Sequence, residues 1–358
     1  MRPEELSIAG RWSGITAPAV DFWLQKLDPT WSVQECRAQV VAIDETCPGV
    51  KTLTLRPNRK WSGFQAGQHV RVSLQIDGRW LSRTWTISSS SAASKQLTLT
   101  IGRIEGGRVT PWIHDELTVG TVVKLHPAQG DFVLPASGEP VVFLAGGAGI
   151  TPALSMLRTM RDRNDQRRFE LVHFIRSEAH AIAREELQAL QEALPHVTIH
   201  WVVTHDGVAG KEQRISAALL QQLCLDEGIT QATWMVCGPE GFMNAATEIL
   251  TDLRPTAVLR TERFAPPAMR NAKGGGTVRF ARSDEQAPNA STHTLLSAVE
   301  ATGRTPKFGC RAGICFECSC LKKSGVVLDL RTGELLAEEN QQIQLCITQA
   351  VGDVTLDL

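Results

Sequence analysis

With 358 residues, 42% of them hydrophobic and 21% charged, and a formal net charge of −1, the chain has the make-up of an ordinary globular protein with room for two or three domains. That balance excludes the basic footprint of a nucleic-acid binder. The opening Met1-Arg2-Pro3-Glu4-Glu5 lacks the apolar stretch of an export signal, and the most apolar run, Val141 to Leu157, is broken by Gly146, Gly147, Gly149 and Pro152, so a cytoplasmic protein without a membrane span is expected. Nine cysteines without an export signal point to reduced thiols.

In chain order, residues 1–35 read as an N-terminal extension. Val20 to Leu27 predicts one or two helical turns closed by Asp28-Pro29, and Trp12, Phe22, Trp23 and Trp31 are many aromatics for so short a segment. They pack on the next domain or meet a membrane-bound partner. Residues 36–138 change to period two, with strand-like runs at Ala38–Ile43, Lys51–Leu55, His69–Leu74, Leu81–Ile87, Gln96–Ile101 and Thr121–Leu125 and one helical piece from Val109 to Leu117. That spacing predicts an antiparallel β-barrel. Residues 139–264 alternate strand and helix, which predicts an α/β domain with a parallel sheet covered on both faces. Within it, Gly146 to Ile150 reads as a loop, with Thr151 capping a helix that begins at Pro152. Residues 265–276, rich in Gly, Ala and Pro, read as a linker. Residues 277–358 form a third, α+β unit: a strand, a helix from Leu295 to Thr302, a cysteine-rich loop and short strands.

That loop carries the strongest chemical signal. Four residues separate Cys310 from Cys315, two separate Cys315 from Cys318, and Cys346 follows after 27 more. This is the C-x4-C-x2-C…C spacing of a plant-type [2Fe–2S] site, where a sulfide-bridged iron pair needs four soft anionic ligands. Gly309 and Gly313 let the loop curl and aim amide N–H groups at the sulfurs. A zinc site or buried thiols is the alternative, although zinc usually takes two C-x2-C pairs and only one is present. Cys320 is one sulfur too many and reads as structural.

Two other stretches suit a nucleotide. Gly146-Gly147-Ala148-Gly149 lies between a strand and a helix start, a place where N–H groups face an anion, but it is not G-x-G-x-x-G and many strand–helix turns are glycine-rich. In Arg83-Thr84-Trp85-Thr86, positions 83 and 85 share one strand face, so Arg could hold a phosphate and Trp could cover an aromatic ring. Alone, it also reads as an ordinary strand with a salt-bridged Arg.

Taken together these stretches resemble the ferredoxin–NADP reductase superfamily. Arg83-Thr84-Trp85-Thr86 resembles its Arg-x-Tyr-Ser flavin motif and Gly106-Gly107-Arg108-Val109-Thr110 its second flavin motif. Gly147-Ala148-Gly149-Ile150-Thr151-Pro152 and Cys237-Gly238-Pro239 resemble its nicotinamide motifs, and Glu262-Arg263-Phe264 the end of that module in oxygenase reductases. With the cysteine loop they cover residues 36–358. Trp31-Ser32-Val33 and Leu55-Arg56-Pro57-Asn58 look most like bacterial reductases that serve membrane fatty-acyl desaturases; phenylacetyl-CoA oxygenase reductases share the domain order.

The resemblance implies FAD on the barrel, NAD(P)H on the α/β domain, and a β-grasp ferredoxin domain whose cluster is held by Cys310, Cys315, Cys318 and Cys346. Arg83 would pair with the FAD pyrophosphate, completed by Gly107, Val109 and Thr110. Trp85 would lie against the isoalloxazine, and Thr86 would hydrogen-bond near its N5. Trp and Thr replace the family's Tyr and Ser, which removes a phenol and keeps a hydroxyl. Gly147, Gly149, Thr151, Gly238, Pro239 and Phe264 would frame the nicotinamide and flavin, with Cys237 beside the hydride path. A cysteine ending an apolar strand is otherwise simply buried.

After the second strand of the α/β domain comes Arg176-Ser177-Glu178, with Arg184 further on. Arg and Ser suit a ribose 2′-phosphate and favour NADPH, while Glu178 leaves NADH open. His69 and His114 have no partner at catalytic spacing and read as structural. The implied activity is electron transfer from NADPH through FAD and the cluster to a partner. That partner is a membrane fatty-acyl desaturase, with peripheral membrane contact through it, or a soluble ring-hydroxylating or CoA-ester oxygenase. A redox sensor without turnover is the reading from another class.

Overall fold

A computed structural model describes residues 17–92, 95–136, 138–205, 213–223, 232–253, 257–264, 276–283, 285–289, 294–309, 311, 313 and 316–358. Cys310 and Cys315, Cys224, residues 1–16 and nearly all of the expected linker lie outside them. Among the described residues no helix is long and apolar enough to cross a membrane.

Helix α1 (Ala17–Leu27) is longer than the expected turns. The buried Asp21 carboxylate fixes the segment that follows, accepting hydrogen bonds from Ser32 Oγ and the Val33 N–H, both at 2.6 Å. Six antiparallel strands come next: β1 (Cys36–Cys47), β2 (Val50–Pro57), β3 (His69–Ile76), β4 (Arg79–Thr86), β5 (Leu97–Gly102) and, after helix α2 (Val109–Asp115), β6 (Val122–Leu125). Their order is β4-β3-β6-β1-β2-β5. A bridge between Ile87 and Leu99 brings the two edge strands together. Alternation explains the core: Val70, Val72, Leu74 and Ile76 of β3 and Leu97, Leu99 and Ile101 of β5 all turn inward and are buried.

The second unit runs β7 (Val141–Gly146), α3 (Thr151–Arg163), β8 (Phe169–Ile175), α4 (Arg184–Ala193), β9 (Val197–Val203), α5 (Ala217–Leu223), β10 (Thr233–Gly238), α6 (Glu240–Leu253) and β11 (Leu259–Arg263). The parallel order β11-β10-β7-β8-β9 places the topological switch between β7 and β10. Val141 to Ala145 are all fully buried, as a strand covered on both faces requires. Phe143 and Ala145 join Leu154, Leu157 and Leu187 on one side, and Val142 and Leu144 join Leu220, Met243 and Leu250 on the other.

Helix α3 also docks on the barrel. Ser155 Oγ donates to the Ser89 carbonyl at 2.8 Å, and Arg158 Nη1 donates to the Ser88 carbonyl at 2.5 Å while its fork pairs with Glu186. Barrel residues Ala66 and Phe132 share a core with Phe143.

The third unit contains β12 (Gly276–Phe280), β13 (Glu285–Asn289), α7 (Leu295–Ala301), β14 (Ser319–Ser324), β15 (Val327–Asp329), β16 (Leu335–Leu336), β17 (Gln341–Gln344), β18 (Thr348–Ala350) and β19 (Val354–Leu356). A five-stranded sheet, β13-β12-β19-β14-β17, carries one parallel pair, β12 with β19. Helix α7 starts at Thr294, whose hydroxyl accepts from the Ser297 N–H at 3.2 Å, and buries Leu295, Leu296 and Val299 against Phe280 and Ile343.

Candidate active site at the junction of the three units

The turn after β7 differs from the sequence reading. Gly147 to Ile150 form a 3-10 turn that runs directly into α3, and Ile150, the residue before the helix, is itself helical. Thr151 is therefore inside the helix and does not cap it: its hydroxyl donates back to the Ala148 carbonyl at 3.1 Å. Gly147 has φ +50. His173, in the centre of β8 and fully buried, bonds the Gly147 carbonyl through Nε2 at 3.1 Å; burial pushes its pKa down to about 4, so it is neutral. Gly149 lies against the C-terminal end of β10, with an ideal Cβ on it falling 2.1 Å from the Cys237 carbonyl oxygen. Gly238 is buried behind Cys237, and Pro239 leads into α6.

On the barrel side, β4 pairs with β3 so that Arg83 faces Val72 and Trp85 faces Val70, while Thr84 faces Arg71 and Thr86 faces His69. Trp85 is partly buried against the barrel core. The Thr84 and Thr86 hydroxyls are buried with no protein partner. Arg83 is half-buried; Nη1 donates only to the neighbouring Ser82 carbonyl, at 2.7 Å. Burial, and then the nearby guanidinium groups of Arg311 and Arg108, hold it below the usual arginine pKa. A half-buried arginine beside two more suits a polyanion. At the start of α2, Val109 and Thr110 are buried, Gly107 N–H donates to the Ile104 carbonyl, and Thr110 Oγ1 accepts from the Ile104 N–H at 3.0 Å.

The residue that sequence reasoning left without a role is Glu262. It sits in β11 in register with Cys237 of β10, and is buried. His69 Nδ1 lies 3.3 Å from its Oε1. Burial raises the Glu262 pKa, with His69 opposing, and burial and then Glu262 raise the Cys237 thiol well above its ordinary value. Thr86, His69, Glu262 and Cys237 thus form a continuous series across the two sheets. Two polar atoms in it, His69 Nε2 and Glu262 Oε2, have no partner, as has Thr86 Oγ1. Sequence spacing gives no sign of the His69 contact, because Glu262 lies 193 residues away.

His69 and Glu262 also line a cavity of about 1140 Å³ that reaches Arg260 and Arg263 of β11 and Gly313 and Phe316 of the cysteine loop. Phe264, just past β11, is partly exposed. Next to Phe316, Glu317 pairs with Arg71 of the barrel, whose guanidinium also bonds His126 Nδ1 at 2.6 Å. Cys318 and Cys346 are both buried, and the Cys346 N–H points at Cys318 Sγ at 3.5 Å, the amide-to-sulfur contact that favours a thiolate. Cys320 is buried in β14 and donates to the Leu321 carbonyl at 3.7 Å. Among the described residues no three His, Cys, Asp or Glu side chains converge as a metal site, and two of the expected ligands are outside them.

Arg176 follows β8 and is exposed. Arg184 stands 5.0 Å over the Trp201 ring and is already paired with Glu178.

Two family models match: the oxidoreductase FAD-binding domain over residues 37–134 and the oxidoreductase NAD-binding domain over 143–248. The chain is 34% identical over 350 residues to an NADPH oxidoreductase of Mycobacterium tuberculosis, covering 96% of this chain and 90% of that protein. It is 27% identical over 324 residues to the glycine betaine monooxygenase reductase subunit of Pseudomonas aeruginosa, covering 82% and 87%. Among solved structures, phthalate dioxygenase reductase, described as a modular structure for electron transfer from pyridine nucleotides to [2Fe–2S], superposes with a TM-score of 0.64 at 21% identity, over 91% of this chain and 98% of that one.

Proposed function

This chain belongs to the FAD- and NAD-binding oxidoreductases of the ferredoxin–NADP reductase superfamily, and from that premise we propose that it passes electrons from NADPH through FAD and a [2Fe–2S] cluster to a partner oxygenase, with a membrane fatty-acyl desaturase as the first reading. The observation that carries it is the shared cavity: residues from the flavin-type barrel, the nucleotide sheet and the cysteine loop all face it. Residues 36–138 are assigned to FAD, 139–264 to the nicotinamide nucleotide, 265–276 to the linker and 277–358 to the ferredoxin domain, with 1–35 an extension.

Bound FAD and [2Fe–2S] would together supply the change from paired to single electrons. The protein's own residues place the reactants. Arg83, with Gly107, Val109 and Thr110, would hold the pyrophosphate, and the buried, unpartnered Thr86 hydroxyl supports a hydrogen bond to the flavin ring. Trp85 would cover one ring face. The 3-10 turn from Gly147 to Ile150, Thr151, Gly238 and Pro239 would seat the nicotinamide side beside Cys237, with Phe264 closing the far side. Arg176 is the better 2′-phosphate donor, because Arg184 is already neutralised by Glu178. Cys310, Cys315, Cys318 and Cys346 would hold the irons.

An absorption spectrum before and after anaerobic NADPH, with iron, sulfide and zinc analysis, tests this. Flavin and iron–sulfur bands that both bleach are expected; a colourless protein containing zinc defeats it. A reductase for a soluble oxygenase is the second reading, favoured by the relative named a glycine betaine monooxygenase reductase subunit. Rapid NADPH-dependent reduction of cytochrome c removes the sensor reading.

A further inference from the structure

Several of the most exposed apolar side chains gather on and beside α1. Trp23 is 70% and Leu27 77% exposed, one turn apart on a single face. Phe22 packs edge-on to Trp23, with ring centroids 5.4 Å apart, and carries the Lys26 ammonium 5.5 Å over its ring. Phe22 and Lys26 share one hollow with exposed Trp80 of the barrel, while Trp31 and Val33 share another with Asp28, Arg59 and Lys60. The ridge between is not a frayed end. Asp21 on the inner face ties α1 to Ser32 and Val33, and Asn58 Nδ2 donates to the Thr30 and Glu35 carbonyls at 2.9 and 3.0 Å.

The charges bordering the ridge are mainly basic, with the partly exposed Asp28 carboxylate among them in the hollow of Trp31 and Val33. Lys26, Arg59 and Lys60 are exposed and make no ion pair among the described residues. Of the nearby carboxylates, Glu35 is paired with Arg37 and Lys124, Asp21 is buried under the helix on Ser32 and Val33, and Asp28 accepts from Thr30 and keeps its charge, leaving three exposed cations against one carboxylate at the rim. Exposed Trp, Phe and Leu side chains with an excess of cations beside them match the headgroup layer of an anionic bilayer, where aromatic rings sit at the interface and ammonium groups reach lipid phosphate. We propose that α1 and the segment to Val33 dock this protein on an anionic membrane surface, with Trp23 and Leu27 inserted and Lys26, Arg59 and Lys60 on the phosphates. This goes beyond the electron-transfer reading and does not depend on it.

The test is co-sedimentation of the full-length protein with vesicles of equimolar phosphatidylcholine and phosphatidylglycerol, against phosphatidylcholine alone. Binding to the anionic vesicles is expected to be about tenfold stronger or more, to weaken in high salt, and to fall by about tenfold or more in Trp23→Ser/Leu27→Ser and in Lys26→Glu/Arg59→Glu/Lys60→Glu. Brominated lipid should quench tryptophan fluorescence in the wild type and much less in the first variant. Circular dichroism and NADPH–cytochrome c reduction, unchanged in both variants, show that the fold survives; absence of that reduction in every form would count against the electron-transfer reading alone. No binding to anionic vesicles, equal binding to neutral ones, or binding that the variants leave intact would overturn the proposal. So would a wild-type dimer in sedimentation velocity that the first variant abolishes, since a second copy would then cover the ridge.

Discussion

Gly149 and the Cys237 carbonyl occupy adjoining space with no room for a side chain between them: an ideal Cβ on Gly149 would lie 2.1 Å from that oxygen. The contact joins the turn after β7 to the end of β10, the two edges of the topological switch. Gly149→Ala must push them apart. Overpacking of this kind costs about 1–3 kcal/mol, and it widens the crevice where the nucleotide would bind. A lower melting temperature together with weaker NADPH binding by titration is expected. A variant as stable as wild type with unchanged affinity would show that the turn yields freely.

The Thr86 hydroxyl gives a sharper test, because its two effects have opposite signs. It is buried without a partner. Thr86→Val keeps the shape and removes the orphaned group, so protein stripped of flavin should hold steady or gain on the order of 1 kcal/mol. The flavin-loaded form should bind flavin more weakly and be reduced more slowly by NADPH in stopped flow, while Thr86→Ser restores both. Loss of stability in the stripped valine variant would mean that the hydroxyl already has a partner.

These residues also mark how far the sequence could be read. The barrel was legible because Val70, Val72, Leu74 and Ile76 alternate, and the parallel sheet because Val141 to Ala145 run on without a polar break. Thr151-Pro152 has the composition of a cap, whereas the helix starts at Thr151 after a helical Ile150, set by a 3-10 turn that composition does not disclose. Glu262 was visible in a motif but had no role until β11 packed beside β10, and His69 acquired a partner only when the barrel met that sheet. The face of α1 could be suspected from its aromatics, but its orientation depended on Asp21 turning inward.

His173 predicts a pH dependence of stability. Its pKa falls from 6.5 in the unfolded chain to about 4 in the folded one, through burial. Between those values the unfolded chain binds more protons, so stability rises with pH across the window and is lost as pH falls from 6.5 towards 4. The effect is on the order of 3 kcal/mol over the full window. His173→Gln, which keeps a donor for the Gly147 carbonyl, should flatten that part of the urea-unfolding profile. An unchanged slope would assign it elsewhere.

Glu262 acts in the opposite sense. Burial raises its folded pKa above 4.5, so the folded protein binds the proton more tightly. Its contribution is full below pH 4.5 and is lost as pH rises through the folded value. Glu262→Gln should therefore be more stable than wild type at neutral pH, with the gain vanishing in acid. If the variant is instead less stable at neutral pH, the His69 contact outweighs the cost of burying the carboxylate.

The Arg71–Glu317 pair ties the cysteine loop to the barrel. Its side chains are 17% and 32% exposed, so salt can reach it but it is not freely solvated. Removing one partner should affect the step that crosses this junction and spare the step that does not. In Glu317→Gln, flavin reduction by NADPH should keep its wild-type rate, while onward transfer to the proposed cluster slows by about threefold to tenfold, as the loss of about 1 kcal/mol of docking implies. Raising ionic strength should bring wild type down towards the variant. If both steps slow equally, Glu317 supports the fold of the loop; if neither slows, the pair does not set the distance over which the electron moves.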